Sequence, residues 1–298
     1  MHSVVAIGVF DGHHLGHQAL TDRAATVAAE AGLTPTALTF DPHPMSVIRG
    51  ARISALTSLQ RRVELLRAAG IADVCVCEFD KTFAARPPQE FIDEVLIGQL
   101  HAEQVVVGQG FRFGKGAAGT ADDLREAGLV VHEVESVLWH GERVSSTRIR
   151  EAVAVGALEV ANSLLTRPHR YQGTVVRGLQ RGRELGFPTA NLKAEFDQAV
   201  PADGVYAGYL VDLDESGREL ERWPAAVSVG TNPTFDDVPE RVVEAHAITP
   251  DDLELYGRRM AVDFIEHLRP MLAFSSIDDL IEAMNDDVAR SARILGLH

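Results

Sequence analysis

The chain has 298 residues, of which 46% are hydrophobic and 24% charged, and its formal net charge is -15. That makeup belongs to a globular protein long enough for two domains. The acidic balance argues against nucleic acid or an anionic membrane surface as a partner, and no apolar run reaches bilayer length.

The first element predicted is a strand over Val4, Val5, Ala6 and Ile7. It starts close to the first residue and lacks the zones of a signal peptide, so a cytoplasmic address is expected. The strand passes straight into GVFDGHHLGH, residues 8–17, and then into a helical pattern over 18–31 that Gly32 closes. His14 and His17 therefore fall at a strand-to-helix turn. Free amides and the positive dipole end of the helix favour an anion there, and Gly8, Gly12 and Gly16 allow phosphate to approach the backbone. The alternative reading is a tight turn with two solvated histidines.

A second strand over 36–40 ends in Asp41-Pro42-His43-Pro44. The two prolines predict a rigid loop at the edge where parallel sheets bind ligands, or else a structural turn that caps the next helix. Thr57-Ser58-Leu59-Gln60 has the form of a capping box for a helix running to Gly70. Strand 73–79 carries Cys75 and Cys77 on one face, read as buried thiols rather than a disulfide or metal pair. A helix over 90–100 and a strand over 104–107 lead to the glycine-rich segment 108–116, whose Arg112 and Lys115 suit an anion- or ring-binding loop as well as a plain connection. After a strand over 129–134, Val144-Ser145-Ser146-Thr147-Arg148-Ile149-Arg150 opens a helix with arginines in its first turns. Cations there oppose the helix dipole and point to a bound anion. Strands alternating with helices predict a parallel sheet with right-handed crossovers.

One or two helices broken near Gly156 lead to a linker at Thr166-Arg167-Pro168, and the pattern then changes to strands over 171–176, 204–212, 224–230, 241–248 and 258–265. Strands without intervening helices predict an antiparallel barrel, followed by a helix over 276–295 whose apolar face carries Leu280, Ile281, Met284, Val288 and Ala292. Gly178, Gly182 and Gly186 permit backbone amides to close over phosphate oxygens, and Pro188 stiffens the approach to Thr189 and Asn191. Residues two apart on extended chain face the same way, so the Thr189 hydroxyl and the Asn191 carbonyl can share one Mg²⁺. A glycine-rich hairpin with a Pro-Thr turn is the plainer alternative.

GVFDGHHLGH, LTFDPHP (38–44), GFRFG (110–114) and SSTRIR (145–150), in that order, resemble the nucleotidyltransferase module of the bacterial bifunctional riboflavin kinase/FAD synthetases. RGRELGFPTAN (181–191), PADGVYA (201–207) and SVGTNPTF (228–235) resemble the riboflavin kinase module of the same family. The resemblance implies a Rossmann-like α/β domain over 1–166 and a six-stranded Greek-key barrel with a C-terminal helix over 167–298. It implies that His14 and His17 contact the ATP phosphates, that Ser146, Thr147 and Arg148 close on them from the other side, and that Gly8, Phe10, Asp11 and Gly12 shape the nucleotide pocket. Asp41, Pro42, His43, Phe111 and Phe113 take the flavin and nucleotide loops. In the kinase module it implies ATP at Gly178, Gly182, Gly186, Pro188, Thr189 and Asn191, metal at Thr189 and Asn191, and flavin beside Thr231 and Asn232. Glu244, in Val243-Glu244-Ala245-His246, takes the place of the family's catalytic acid residue.

The implied function is phosphorylation of riboflavin to FMN and adenylylation of FMN to FAD, with ATP as co-substrate and Mg²⁺ as cofactor. Small molecules are then the partners, and the oligomeric state stays open. The sequence departs from the family at Gly110, where Asp or Asn is usual, at His13, which adds a cation near the phosphates, and at Ala247-Ile248-Thr249. The first departure raises the alternative of a kinase whose adenylyltransferase module has weakened. A non-catalytic flavin-nucleotide binder is the other alternative, and the presence of Thr189, Asn191 and Glu244 speaks against it.

Overall fold

The computed structural model describes residues 2–177, 185–231, 241–249, 251 and 253–297. The chain forms two compact units, Met1–Ser146 and Thr147–His298.

In the first unit β1 (Ser3–Ile7), α1 (Leu15–Ala31), β2 (Thr34–Asp41), α2 (Pro44–Arg49), α3 (Leu59–Ala68) and β3 (Asp73–Glu78) follow one another. The short α4 (Lys81–Ala84) and α5 (Pro88–Glu90) come next, and α5 runs into a π-helical stretch, Phe91–Gln99. β4 (Ala102–Gly108), α6 (Ala121–Glu126), β5 (Val130–Val134) and the small hairpin β6 (Leu138–Trp139) and β7 (Glu142–Arg143) complete the unit. The five long strands make a parallel sheet in the order β3-β2-β1-β4-β5, the alternating βα arrangement expected. Val4, Val5, Ala6 and Ile7 are all buried because β1 is central and covered on both faces. The chain fills the sheet on one side of β1 and then on the other, so the crevice between the C-terminal ends of β1 and β4 is a switch point, where such sheets bind ligands.

Several local expectations change. α3 is capped by Ser58, whose hydroxyl accepts from the Arg61 N–H, while Thr57 is used elsewhere. The thiols of Cys75 and Cys77 are half-buried rather than buried, because β3 is an edge strand. Burial still pushes both up, Cys77 to about 11, so they are poor thiolates at neutral pH.

Gly114 closes the loop after β4 with φ of 70°, and a Cβ there would meet Pro88 at 2.9 Å. Gly114→Ala is expected to destabilise this unit by about 1–3 kcal/mol through strain at positive φ and the clash, read as a lowered urea midpoint with unchanged slope.

The second unit opens with α7 (Ser146–Ala154), whose first residue belongs to the first unit, and α8 (Leu158–Leu165). Then come β8 (His169–Val176), β9 (Ala190–Ala194), β10 (Gly204–Leu213), β11 (Glu219–Thr231), β12 (Arg241–Ala247), β13 (Arg259–Arg269) and α9 (Ile277–Ile294). The strands close into an antiparallel barrel in the order β10-β11-β12-β9-β8-β13. β9, absent from the strands expected, completes the closure. Alternation sets the inside: Trp223, Ala225, Val227 and Val229 of β11 and Val243 and Ala245 of β12 fill the core, and the residues between them face out. α9 differs from its expected packing. Its five apolar residues are only half-buried, whereas Asp287 is buried, its carboxylate taking both Nε and Nη2 of Arg269 at 2.9 and 2.6 Å.

Candidate active sites

The first site is built at the C-terminal edge of the parallel sheet. β1 ends at Ile7, and the turn that follows places Phe10 at φ 55° and Gly12 at φ 81° before His14 caps α1. The His14 Nδ1 accepts the His17 N–H at 3.3 Å, so Nε2 is the ring nitrogen the cap does not use. The two imidazoles stack with centroids 3.7 Å apart, and Phe10, itself buried, meets His17 edge-on at 5.3 Å. Gly16 packs closely there: a Cβ would lie 3.2 Å from the His14 ring, and the ring would have to shift to admit it.

α1 and α7, like α2, α3 and α4, carry no acidic residue in their first turns, whereas α6 and α9 carry aspartates there. No acidic side chain of the first turn therefore offsets the positive dipole end of α1 or α7. The Ser146 hydroxyl at the start of α7 donates to the Asp11 carbonyl at 2.9 Å, which sets that end beside the histidine turn. Thr147 is exposed and Arg148 half-buried. The Asp11 carboxylate is turned inward, accepting the N–H groups of Leu56 and Thr57 and the Thr57 hydroxyl. His13 is buried, with Nε2 3.2 Å from Thr21 Oγ1.

Asp41 ends β2, a cis peptide joins it to Pro42, and the His43 Nδ1 caps α2 by accepting the Met45 N–H. The cap is what the structural-turn reading of this loop expects, and the loop lies at the C-terminal end of β2. Past β4, Phe111 and Phe113 stack at 5.6 Å, Phe113 buried and Phe111 half-buried. Gly110 between β4 and these rings has φ of 73°, and the space a Cβ would occupy is open. Asn and Asp tolerate that left-handed conformation better than other residues with a Cβ, so Gly110 keeps the backbone shape and drops only a polar side chain.

The second site lies on the outer face of the barrel and at its mouth. Asn191 of β9 is paired in register with Glu244 of β12, which is in turn paired with Ser228 of β11. The Thr189 hydroxyl lies 3.4 Å from Glu244 Oε2 and the Asn191 amide group 3.5 Å from Thr189 Oγ1. Pro188 is held by His246, whose Nδ1–H donates to its carbonyl at 2.8 Å while Phe187 meets the ring edge-on. A cavity of about 660 Å³ adjoins these residues, lined by Gly186, Thr189, Asn191, Leu210, His246 and Leu255 among others. That volume suits a nucleotide. Thr189 Oγ1 thus lies within 3.5 Å of both the Asn191 amide nitrogen and a Glu244 carboxylate oxygen, and hydroxyl, carboxamide and carboxylate groups are of the kind whose oxygens Mg²⁺ takes. Among the described residues no cluster of three His, Cys, Asp or Glu could hold a metal ion. Thr231 ends β11 and is exposed; Gly178, Gly182 and Asn232 lie outside the described residues.

Burial raises the Glu244 carboxyl above the usual carboxylate range, partly offset by the Thr189 hydroxyl. Its folded value exceeds the unfolded one, so it stabilises the fold only at acid pH, and that stability is lost as pH rises through the folded value. Glu244→Gln is therefore expected to melt at or above the wild-type temperature at pH 7, with the difference vanishing below the ordinary value of 4.5.

A switch-point site with an anion-ready helix end, joined in one chain to a barrel site with a hydroxyl, an amide and a raised carboxyl, defines a two-module nucleotide-dependent transferase. Residues 1–148 match the FAD synthetase family model and residues 165–295 the riboflavin kinase model. The chain belongs to the bifunctional riboflavin kinase/FMN adenylyltransferase family, and riboflavin, FMN, FAD and ATP are that family's substrates and products. A relative of that name from Listeria monocytogenes is 36% identical over 96% of this chain and 90% of its own length. Those from Bacillus subtilis and Escherichia coli are 34% and 32% identical, over 98% and 99% of this chain and 92% and 93% of theirs. A crystal structure from Streptococcus pneumoniae, described as a macrolide-efflux protein, superposes with a TM-score of 0.86 at 30% identity, covering 96% of this chain and 92% of that one. Among the described residues of this chain, no helix is long and apolar enough to cross a membrane.

Proposed function

We propose that Glu244 takes the proton of the ribityl 5′-hydroxyl of riboflavin as that oxygen attacks the γ-phosphorus of ATP, giving FMN and ADP. The register pairing of Glu244 with Asn191, with Thr189 within hydrogen-bonding reach, is the observation that carries this reading. Thr189 and Asn191 would hold Mg²⁺, which when bound neutralises the phosphate oxygens. Gly178, Gly182, Gly186 and Pro188 take the ATP chain, and Thr231 and Asn232 the flavin side.

In the other module a phosphate oxygen of FMN attacks the α-phosphorus of ATP and pyrophosphate leaves. No protein nucleophile is needed, so the work is positioning and charge neutralisation. His14 and His17 bind the phosphates, Gly8, Phe10, Asp11 and Gly12 shape the nucleotide pocket, Ser146, Thr147 and Arg148 close the opposite side, and Asp41, Pro42, His43, Phe111 and Phe113 receive the flavin and nucleotide rings. The left-handed conformation of Gly110 supports a full adenylyltransferase over a weakened one. We place the functional boundary between residues 166 and 167, where helices give way to the strands of the barrel, and with it a cytoplasmic address. The acidic charge of the chain speaks against a nucleic-acid partner.

Incubation of the purified chain with FMN, ATP and Mg²⁺ tests the second module. FAD and pyrophosphate are expected in equal amounts, and FMN left unchanged at every substrate level leaves a kinase alone.

A further inference from the structure

Behind the histidine turn, buried polar side chains knit the ends of β1 and β2 to the start of α3. Asp11 is 1% and Arg62 4% exposed, and Thr39 and Thr57 are buried with them. The Thr57 hydroxyl donates to Asp11 Oδ1 at 3.2 Å and accepts the Gly12 N–H at 3.1 Å, while the Thr57 N–H donates to the same carboxylate oxygen at 3.0 Å. Thr39 donates to the Val9 carbonyl at 2.8 Å, and Arg62 Nη1 donates to Thr39 Oγ1 at 3.3 Å and to the Phe40 carbonyl at 2.9 Å. Burying a guanidinium and a carboxylate is costly unless each is held by hydrogen bonds, and both are spent here on backbone groups next to the site. Val9, Asp11 and Gly12 lead into His14, and Thr39 and Phe40 lead into Asp41.

We propose that Thr57, Thr39 and Arg62 are positioning residues for adenylyl transfer, holding the turn that carries His14 and His17 in register with the loop Asp41–His43. This rests on the adenylyltransferase reading above. In a reaction run by alignment of two anions, a displacement of about 1 Å costs about 10²-fold in rate. Thr57 is the informative position, because its one hydroxyl both donates to Asp11 and accepts from Gly12. Valine keeps its shape and removes both bonds, and serine keeps both.

The test uses the full-length chain, with FAD formation and riboflavin phosphorylation measured on the same preparation. Thr57→Val is expected to lower kcat for FAD formation about 10²-fold with the KM for ATP changed by less than about 3-fold. Thr57→Ser recovers most of the rate, and Thr39→Val, at the other end of the network, repeats the loss. Riboflavin phosphorylation stays at the wild-type rate in all three. Wild-type kcat in Thr57→Val, or Thr57→Ser as slow as Thr57→Val, overturns the proposal. Where Thr57→Val loses both activities by unfolding, Thr39→Val decides: a selective loss of FAD formation supports the network, and wild-type kinetics overturn it. A wild type that forms FMN and never FAD is a different result, which removes the adenylyltransferase reading and the proposal with it.

Discussion

Glu244→Gln is expected to lower riboflavin phosphorylation about 10²–10⁴-fold, the range for loss of a general base, and to leave FAD formation from added FMN unchanged. Glutamine has the size and shape of glutamate and can still accept from Thr189 Oγ1, so the β9–β12 pairing around Asn191 survives. What disappears is the proton acceptor. The wild-type kcat/KM for riboflavin should rise with pH through a value above that of an ordinary glutamate, because the buried carboxyl must ionise before it can act. The residual rate of Glu244→Gln should lack that limb. A variant as active as wild type, with the same pH profile, removes Glu244 from the chemistry.

His17→Ala is expected to have the opposite selectivity. FAD formation falls about 10²–10³-fold, the cost of removing one preorganised donor to developing charge, while FMN still accumulates from riboflavin. The fold should tolerate the change. The N-cap of α1 uses the His17 backbone N–H, which donates to His14 Nδ1 whatever the side chain, and alanine is the best helix former. Phe10 loses an edge contact but stays anchored among Val4, Ala6 and Leu20. Adenylyl transfer with unchanged kcat and KM in this variant places the phosphates elsewhere.

The architecture was legible where the signals are local. The apolar run 4–7, the glycine-rich turn and the following periodicity identify β1, the anion-ready turn and α1, and the change to turn-separated strands after Pro168 identifies the barrel. β9 escaped because its five residues, Ala190–Ala194, follow Pro188 and carry a lysine, so they read as loop until pairing with β8 and β12 makes them a strand. The π-helical winding of Phe91–Gln99 is equally hidden, since apolar spacing does not separate i→i+5 from i→i+4 hydrogen bonds. Thr57 looked like a helix cap because residues 57–60 fit the pattern. Its partner, Asp11, is 46 residues away, and only the folded sheet edge brings them together. Arg62 shares the face of α3 that carries Leu66, and its partners, Thr39 and the Phe40 carbonyl, are 23 and 22 residues away and meet it only in the folded sheet edge.

The central claim is that one chain holds two ATP sites, one directed at the γ-phosphorus and the other at the α-phosphorus. Incubating riboflavin with the full-length protein, Mg²⁺ and ATP labelled at either position, then separating the flavins by chromatography, tests it directly. The γ-label is predicted in both FMN and FAD and the α-label in FAD alone, with Asn191→Ala blocking entry of the first and His17→Ala entry of the second. An α-label that never enters a flavin, an Asn191→Ala chain that cannot put the α-label into FAD when FMN is supplied directly, or a His17→Ala chain that no longer puts the γ-label into FMN, would contradict the account.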